Sequence, residues 1–296
     1  MTGVIIINKP QGITSFGVVA RLRKILGEKR IGHSGTLDPM ATGVMTVLLG
    51  GATRFCPLLP DHNKAYEGVF RLGITTDTLD ITGNILSEKP VSVTPGEVSA
   101  AAAKFMGEIT QIPPMYSAVS VGGRRLYELA REGEEVERPE RTAFVYLLET
   151  AKSEGENEYT IRVECSSGTY IRTLVSDIGE DLGCGAALTA LKRTKANGFT
   201  LADASDLPEN GDEEGAQAIK SKILAVDSAL KKYPALSVTG AQAARFSNGG
   251  ALLLERVQNC AAKGYYRVYG PGDVFCGIGE NDGGDSLKVI RVYREI

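Results

Sequence analysis

A chain of 296 residues is long for one domain and comfortable for two. Its 43% hydrophobic and 23% charged content suit an ordinary globular protein, and no run of about 18 apolar residues offers a membrane-spanning helix. A net charge of −3 argues against holding a polyanion by bulk attraction, but charge is uneven: Met1–Pro60 carries seven Lys/Arg against Glu28 and Asp38. Asp203–Asp227 carries seven acids against Lys220 and Lys222 and reads as a solvated linker and helix face. Cys56, Cys165, Cys184, Cys260 and Cys276 are odd in number and scattered without a CxxC pair. They favour neither a zinc knuckle nor a dithiol motif and are expected as buried small hydrophobes in a reducing compartment. The N-terminus, MTGVIIINKPQG, has no basic segment and too short an apolar run for a signal peptide, so a cytoplasmic location is expected.

In chain order, Gly3–Asn8 reads as a strand stopped by the turn Lys9-Pro10-Gln11-Gly12. Thr14 or Ser15 caps a helix whose apolar residues Val18, Val19, Leu22, Ile25 and Leu26 follow helical spacing, and Gly27 ends it. The loop Arg30–Pro39 follows. Thr42–Leu49 reads as a short apolar helix, and Tyr66–Leu72 as a strand with Tyr66, Gly68, Phe70 and Leu72 on one face. Thr94-Pro95-Gly96-Glu97 is a capping box opening a helix expected to reach Gly107. Ala118–Val121 and the Gly122-Gly123 turn precede a charged helix at Leu126–Arg131. Thr142–Ala151 and Tyr159–Cys165 read as a hairpin, and Tyr170–Leu182 as a helix with Arg172 in its first turn. The acidic DLPENGDEEG (206–215) is expected as a loop before a helix at Ala216–Leu230.

After Tyr233-Pro234, short β-prone pieces separated by glycine turns form a small β module expected to dock on the first body. Strands and helices alternate without a regular βαβ repeat, which points to an α+β fold with a mixed, largely antiparallel sheet. The expected domains are residues 1–230, with an insertion at about 112–141, and residues 235–296.

Three separated segments contain candidate site residues. In RIGHSGTLDP, Gly32 and Gly35 permit unusual backbone, and Pro39 biases Asp38 toward an extended conformation that aims its carboxylate. One His and one Asp are too few for a metal site, and the loop matches neither common phosphate-binding pattern. A His33–Asp38 acid/base pair and a plain structural turn remain open. Lys64-Ala65-Tyr66 alone would be strand packing. Ser166–Arg172 alone would be a helix start with a surface arginine.

Together the segments resemble the TruB family of tRNA pseudouridine synthases. NKPQG, RIGHSGTLDP, KAY and SSGTYIR stand in the family's order and spacing, and IPPMYSAVSVGGRRLYELAREG (Ile112–Gly133) resembles its RNA-gripping thumb. The match covers roughly residues 1–200, and the C-terminal β module resembles the family's PUA-type RNA-binding domain. The resemblance implies isomerisation of uridine 55 in the tRNA T loop, with no cofactor and no metal. It assigns Asp38 as the catalytic carboxylate and Arg172 as the guanidinium that orients it and stabilises its charge. Tyr66 would stack on the flipped uracil and help move the C5 proton, with Tyr170 and Leu191 as pocket walls. Lys9 and Pro10 would support the catalytic loop, and His33 would fill the stack that the extruded base leaves. The implied partner is the tRNA T arm, with no membrane, no obligatory protein partner and a monomeric enzyme. Two alternatives are the catalytic subunit of a guide-RNA particle and an RNA-binding protein with a relic site.

Overall fold

The computed structural model describes residues 1–209 and 212–294. It opens with strand β1 (Gly3–Lys9) and helix α1 (Ser15–Leu26). Thr14 caps the helix by accepting from Gly17 N, and Gly27 closes it at φ 65°. Strands β2 (Ile31–Ser34), β3 (Thr42–Leu49) and β4 (Lys64–Leu72) follow, then the small hairpin β5 (Ile74–Thr76) and β6 (Ile85–Glu88). Helix α2 (Pro95–Ala103) starts from a complete Thr94–Glu97 capping box. Strand β7 (Gly107–Gln111) leads into the insertion, which holds the hairpin β8 (Ser120–Val121) and β9 (Arg124–Arg125) and helix α3 (Leu126–Arg131). Next come β10 (Arg141–Lys152), β11 (Glu158–Cys165), α4 (Ile171–Asp181), β12 (Ala186–Ala196), β13 (Phe199–Thr200), β14 (Ser205–Asp206) and α5 (Glu213–Lys220). The C-terminal module comprises β15 (Ala235–Ser237), α6 (Gly240–Ser247), β16 (Leu252–Leu253), β17 (Gly264–Gly270), β18 (Val274–Asn281) and β19 (Ser286–Val292).

Among the described residues, ten strands form one mixed sheet with the main path β14-β1-β3-β12-β4-β11-β10-β7. Most neighbours are antiparallel, and β1–β14 and β3–β12 are the parallel pairs. One core packs α2 and α4 on Phe70, Ile161 and Leu188, while another packs α1 on Ile5, Ile7, Met45 and Val47. Strands β15–β19 form a second, five-stranded sheet. It meets the first through a third core joining Val4, Ile6, Phe55 and Leu230 to Ile278, Phe275 and Tyr293.

Four expectations need correction. Thr42–Leu49 is a central strand, not a helix: all but Thr42 are buried, and a strand covered on both faces shows an unbroken apolar run without period-two alternation. The helix expected at Ala216–Leu230 begins earlier, at Glu213 on an Asp212 cap, and stops at Lys220. Leu224 is instead extended, exchanging both backbone hydrogen bonds with Val4, so edge pairing with β1 overrides local helix preference. Helix α2 ends at Ala103 rather than Gly107, which opens β7 at φ 89°. The first half of the expected loop Arg30–Pro39 is strand β2, paired with β3. Asn210 and Gly211, in the expected acidic loop, and Glu295 and Ile296, which end the expected second domain, lie outside the described residues.

Candidate active site

Asp38 sits in the β2–β3 loop, which side chains from three other elements fasten down. Ser15 at the start of α1 donates to the Leu37 carbonyl (2.9 Å) and accepts from Leu37 N (2.8 Å). The buried Arg193 of β12 donates to the carbonyls of Val44 (2.7 Å), Gly35 (3.1 Å) and Thr36 (3.3 Å). Lys9, fully buried at the end of β1, donates to the carbonyls of Ile13 (2.7 Å), Pro10 (3.0 Å) and Pro39 (3.3 Å). Gly12 N adds a bond to the Pro39 carbonyl (2.8 Å). So many bonds on consecutive carbonyls leave the loop one conformation and hold the Asp38 carboxylate in place.

Helix α4 supplies its partner. Leu174, Val175 and Ile178 seat the helix in the core, which leaves Arg172 in the first turn facing the loop, only 4% exposed. Its guanidinium grips Asp38 with two parallel bonds, Nε to Oδ2 (2.9 Å) and Nη2 to Oδ1 (3.1 Å). The remaining donors reach the carbonyls of Thr78 (2.7 Å) and Tyr116 (2.8 Å). Asp38 itself stays one-third exposed, open to a cavity of about 440 Å³. Tyr66, Leu191, Tyr170, Lys64 and residues 117–120 of the insertion line that cavity. Burial pushes the Tyr66 phenol up to about 12, so at neutral pH it is a proton donor rather than a phenolate.

The structure therefore brings together Asp38, Tyr66, Tyr170, Arg172 and Leu191. Lys9 lies beneath the loop instead of in the cavity wall. Burial, and to a lesser degree Arg193, push its ammonium down to about 8, against an opposing pull from Asp38. His33 lies on β2 outside the cavity lining, with Nδ1 buried and unpartnered; burial and the Arg193 charge lower its pKa, favouring the neutral ring.

The family model described as TruB family pseudouridylate synthase (N terminal domain) matches residues 23–171. The chain belongs to the TruB family of pseudouridylate synthases. Two C-terminal models of the family match residues 172–231 and 234–293. The tRNA pseudouridine synthase B of Pseudomonas fluorescens is 42% identical over 95% of this chain and 92% of its own. That of Clostridium kluyveri is 41% identical over 99% of this chain and all of its own. A solved Cbf5-Nop10-Gar1 complex contains a chain with a TM-score of 0.72 and 27% identity, covering 98% of this chain and 84% of that one. Family membership identifies an isomerase, with a pseudouridine synthase fold and a PUA-like C-terminal domain.

Sequence reasoning missed Asp80, Gln111 and Arg193. Asp80 is buried 3.8 Å from Arg172 Nε, held by hydrogen bonds from Thr78 Oγ1, Thr82 N and Thr82 Oγ1. Its signal, Asp between two threonines, is that of any Asx turn. Gln111, at the root of the insertion, accepts from Tyr170 N (2.9 Å) and donates to the Tyr170 carbonyl (3.1 Å), fixing the chain where α4 begins. Arg193, beside Lys192 in the run Leu191–Arg193, carries no sequence signal that separates it from a surface arginine.

Proposed function

We propose that this protein converts uridine 55 in the T loop of tRNA to pseudouridine, with Asp38 as the reacting carboxylate. The observation that carries the reading is the two-bond Asp38–Arg172 pair at the floor of a cavity walled by Tyr66, Tyr170 and Leu191. The names of the relatives at 41–44% identity supply the tRNA. The reaction breaks the bond from ribose C1′ to uracil N1, forms one from C1′ to C5, and moves the C5 proton to N1. Atoms and electrons balance within the substrate, so the site needs no co-reactant; it must steady the detaching uracil and move one proton.

The residues suit those tasks. Asp38 can meet positive charge developing at C1′, as carboxylates do in glycoside hydrolysis, while Arg172 holds its direction. Tyr66 and Tyr170 offer stacking surfaces to an extruded base, and the protonated Tyr66 hydroxyl can relay a proton. We assign residues 1–230 to catalysis, 112–141 to gripping the RNA and 235–296 to holding the tRNA arm. The enzyme works as a cytoplasmic monomer. In this reading Ile112–Arg141 is an RNA grip with its own small core of Val119, Leu126 and Leu129, which favours a stand-alone enzyme.

The test is tritium release from tRNA transcript labelled at uracil C5, with the native chain and with Asp38→Asn. Release by the native chain alone, with tRNA binding retained by Asp38→Asn within about threefold, is expected. Equal release by both, or a requirement for a guide RNA, overturns the reading.

A further inference from the structure

Lys64, the first residue of β4, lines the same cavity as Asp38 but has no part in the Asp38–Arg172 pair. Among the described residues its ammonium forms no ion pair and donates no hydrogen bond. The charge that acts on it most strongly is another cation, Arg193. A Cβ built on Gly35 would lie 3.2 Å from Lys64 Nζ and 3.6 Å from Arg193 Nη1, so the two positive groups converge beneath that glycine. The residue paired with Lys64 across β11 is Cys165, which brings no compensating charge because burial lifts its thiol to about 11. Burial and the Arg193 charge push Lys64 itself down to about 8, which leaves it largely protonated at neutral pH.

Two half-desolvated cations without a counter-charge are costly in the free protein. Arg193 explains its own presence through the loop carbonyls of Gly35 and Thr36 and the β3 carbonyl of Val44. Lys64 has no such protein partner, and its ammonium opens on the substrate cavity. Gly35 has φ 85° and no side chain, so no side chain at that position covers the pair. The missing charge is then one that arrives with substrate. Uridine is neutral, and the negative charge an RNA brings to this depth is a backbone phosphate.

We infer that Lys64, backed by Arg193, is the subsite for a phosphodiester flanking the uridine extruded into the cavity. The inference rests on the proposed RNA substrate. The ammonium positions the nucleotide through its backbone and reads no base, leaving uracil to Tyr66 and Tyr170. A point charge on a flexible stem suits a phosphate that must slide in with the flipping nucleotide.

The test compares native chain, Lys64→Gln and Lys64→Arg on a T-arm stem-loop RNA. The RNA carries either native linkages or one uncharged methylphosphonate, placed 5′ or 3′ of the target uridine in separate molecules. With native RNA, Lys64→Gln should weaken binding roughly tenfold and lower the slope of log Kd against log salt by about one; Lys64→Arg should keep most of both. One of the two methylphosphonates should cost the native chain a similar factor and cost Lys64→Gln nothing further. Losses that multiply for both linkages, or an unchanged salt slope in Lys64→Gln, overturn the inference. A native chain that binds the RNA with the expected salt slope but makes no pseudouridine overturns the proposed function instead.

Discussion

Four hydrogen bonds fix the plane of Arg172, two to Asp38 and one each to the carbonyls of Thr78 and Tyr116. Asp80 adds a buried negative charge 3.8 Å from Nε without facing the cavity. It therefore positions Arg172 and touches no substrate. Asp80→Asn keeps an oxygen to accept from Thr78 and Thr82, so the turn survives while the charge is lost. We expect kcat to fall roughly tenfold, about 1.4 kcal/mol, with KM within about twofold, measured by pseudouridine formation under saturating enzyme and at steady state. A raised KM with kcat intact would place Asp80 in RNA binding and refute the positioning role. At this scale, legibility followed chemical rarity. Asp38 and Arg172 sit in distinctive runs and stand out as candidates, whereas Asp80 sits in a turn where aspartate is commonplace. Carbonyls that accept from arginine, such as those of Thr78 and Tyr116, leave no trace in a sequence.

Among the elements, α1, β4 and the β10–β11 hairpin were readable because each has one more buried and one more exposed face, so its period shows. Strand β3 has no exposed face and was misread, although Gly43 inside an apolar run was a clue. Gly43 has φ 104°, and a Cβ there would lie 2.2 Å from the Arg193 carbonyl oxygen, at the parallel seam between β3 and β12. The seam brings the fold's N-terminal half onto its central strands, and Arg193 lies on it while holding the Asp38 loop. Gly43→Ala meets both a backbone clash and an unfavourable φ, so we expect a loss of about 3 kcal/mol or more and a Tm lower by roughly 6–12 °C. Thermal unfolding followed by circular dichroism reads this directly; a Tm within about 2 °C of the native chain would mean the seam can open at little cost.

Across the whole molecule, both sheets depend on shared burial, with Phe55 meeting Phe275 at 6.0 Å and Tyr293 at 6.3 Å across the junction. The C-terminal module was legible as β pieces after Tyr233-Pro234, and its small size pointed to docking, but the residues that make the junction were not legible, because contacts between distant segments follow from shape rather than from local pattern. The same global packing buries Lys9 and Lys64 beside Arg193, and both ammoniums titrate near 8 in the folded chain against about 10.5 when free. Between those values the unfolded chain binds more protons than the folded one, so stability rises as pH climbs from about 8 toward 10. Below about 8 both states are protonated and the cost is constant. For Lys64 that cost is roughly 2–3 kcal/mol at neutral pH, and Lys64→Gln removes it. Urea denaturation between about pH 7 and 9.5 should show the native chain gaining stability, with Lys64→Gln more stable at the low end and rising less steeply. Parallel curves for the two chains would mean that solvent or an unseen bond satisfies the Lys64 ammonium in the free protein. A waiting anion subsite would then lose its energetic basis. Saturating T-arm RNA should abolish the difference in slope, because a phosphate at Lys64 restores the folded-state affinity for its proton.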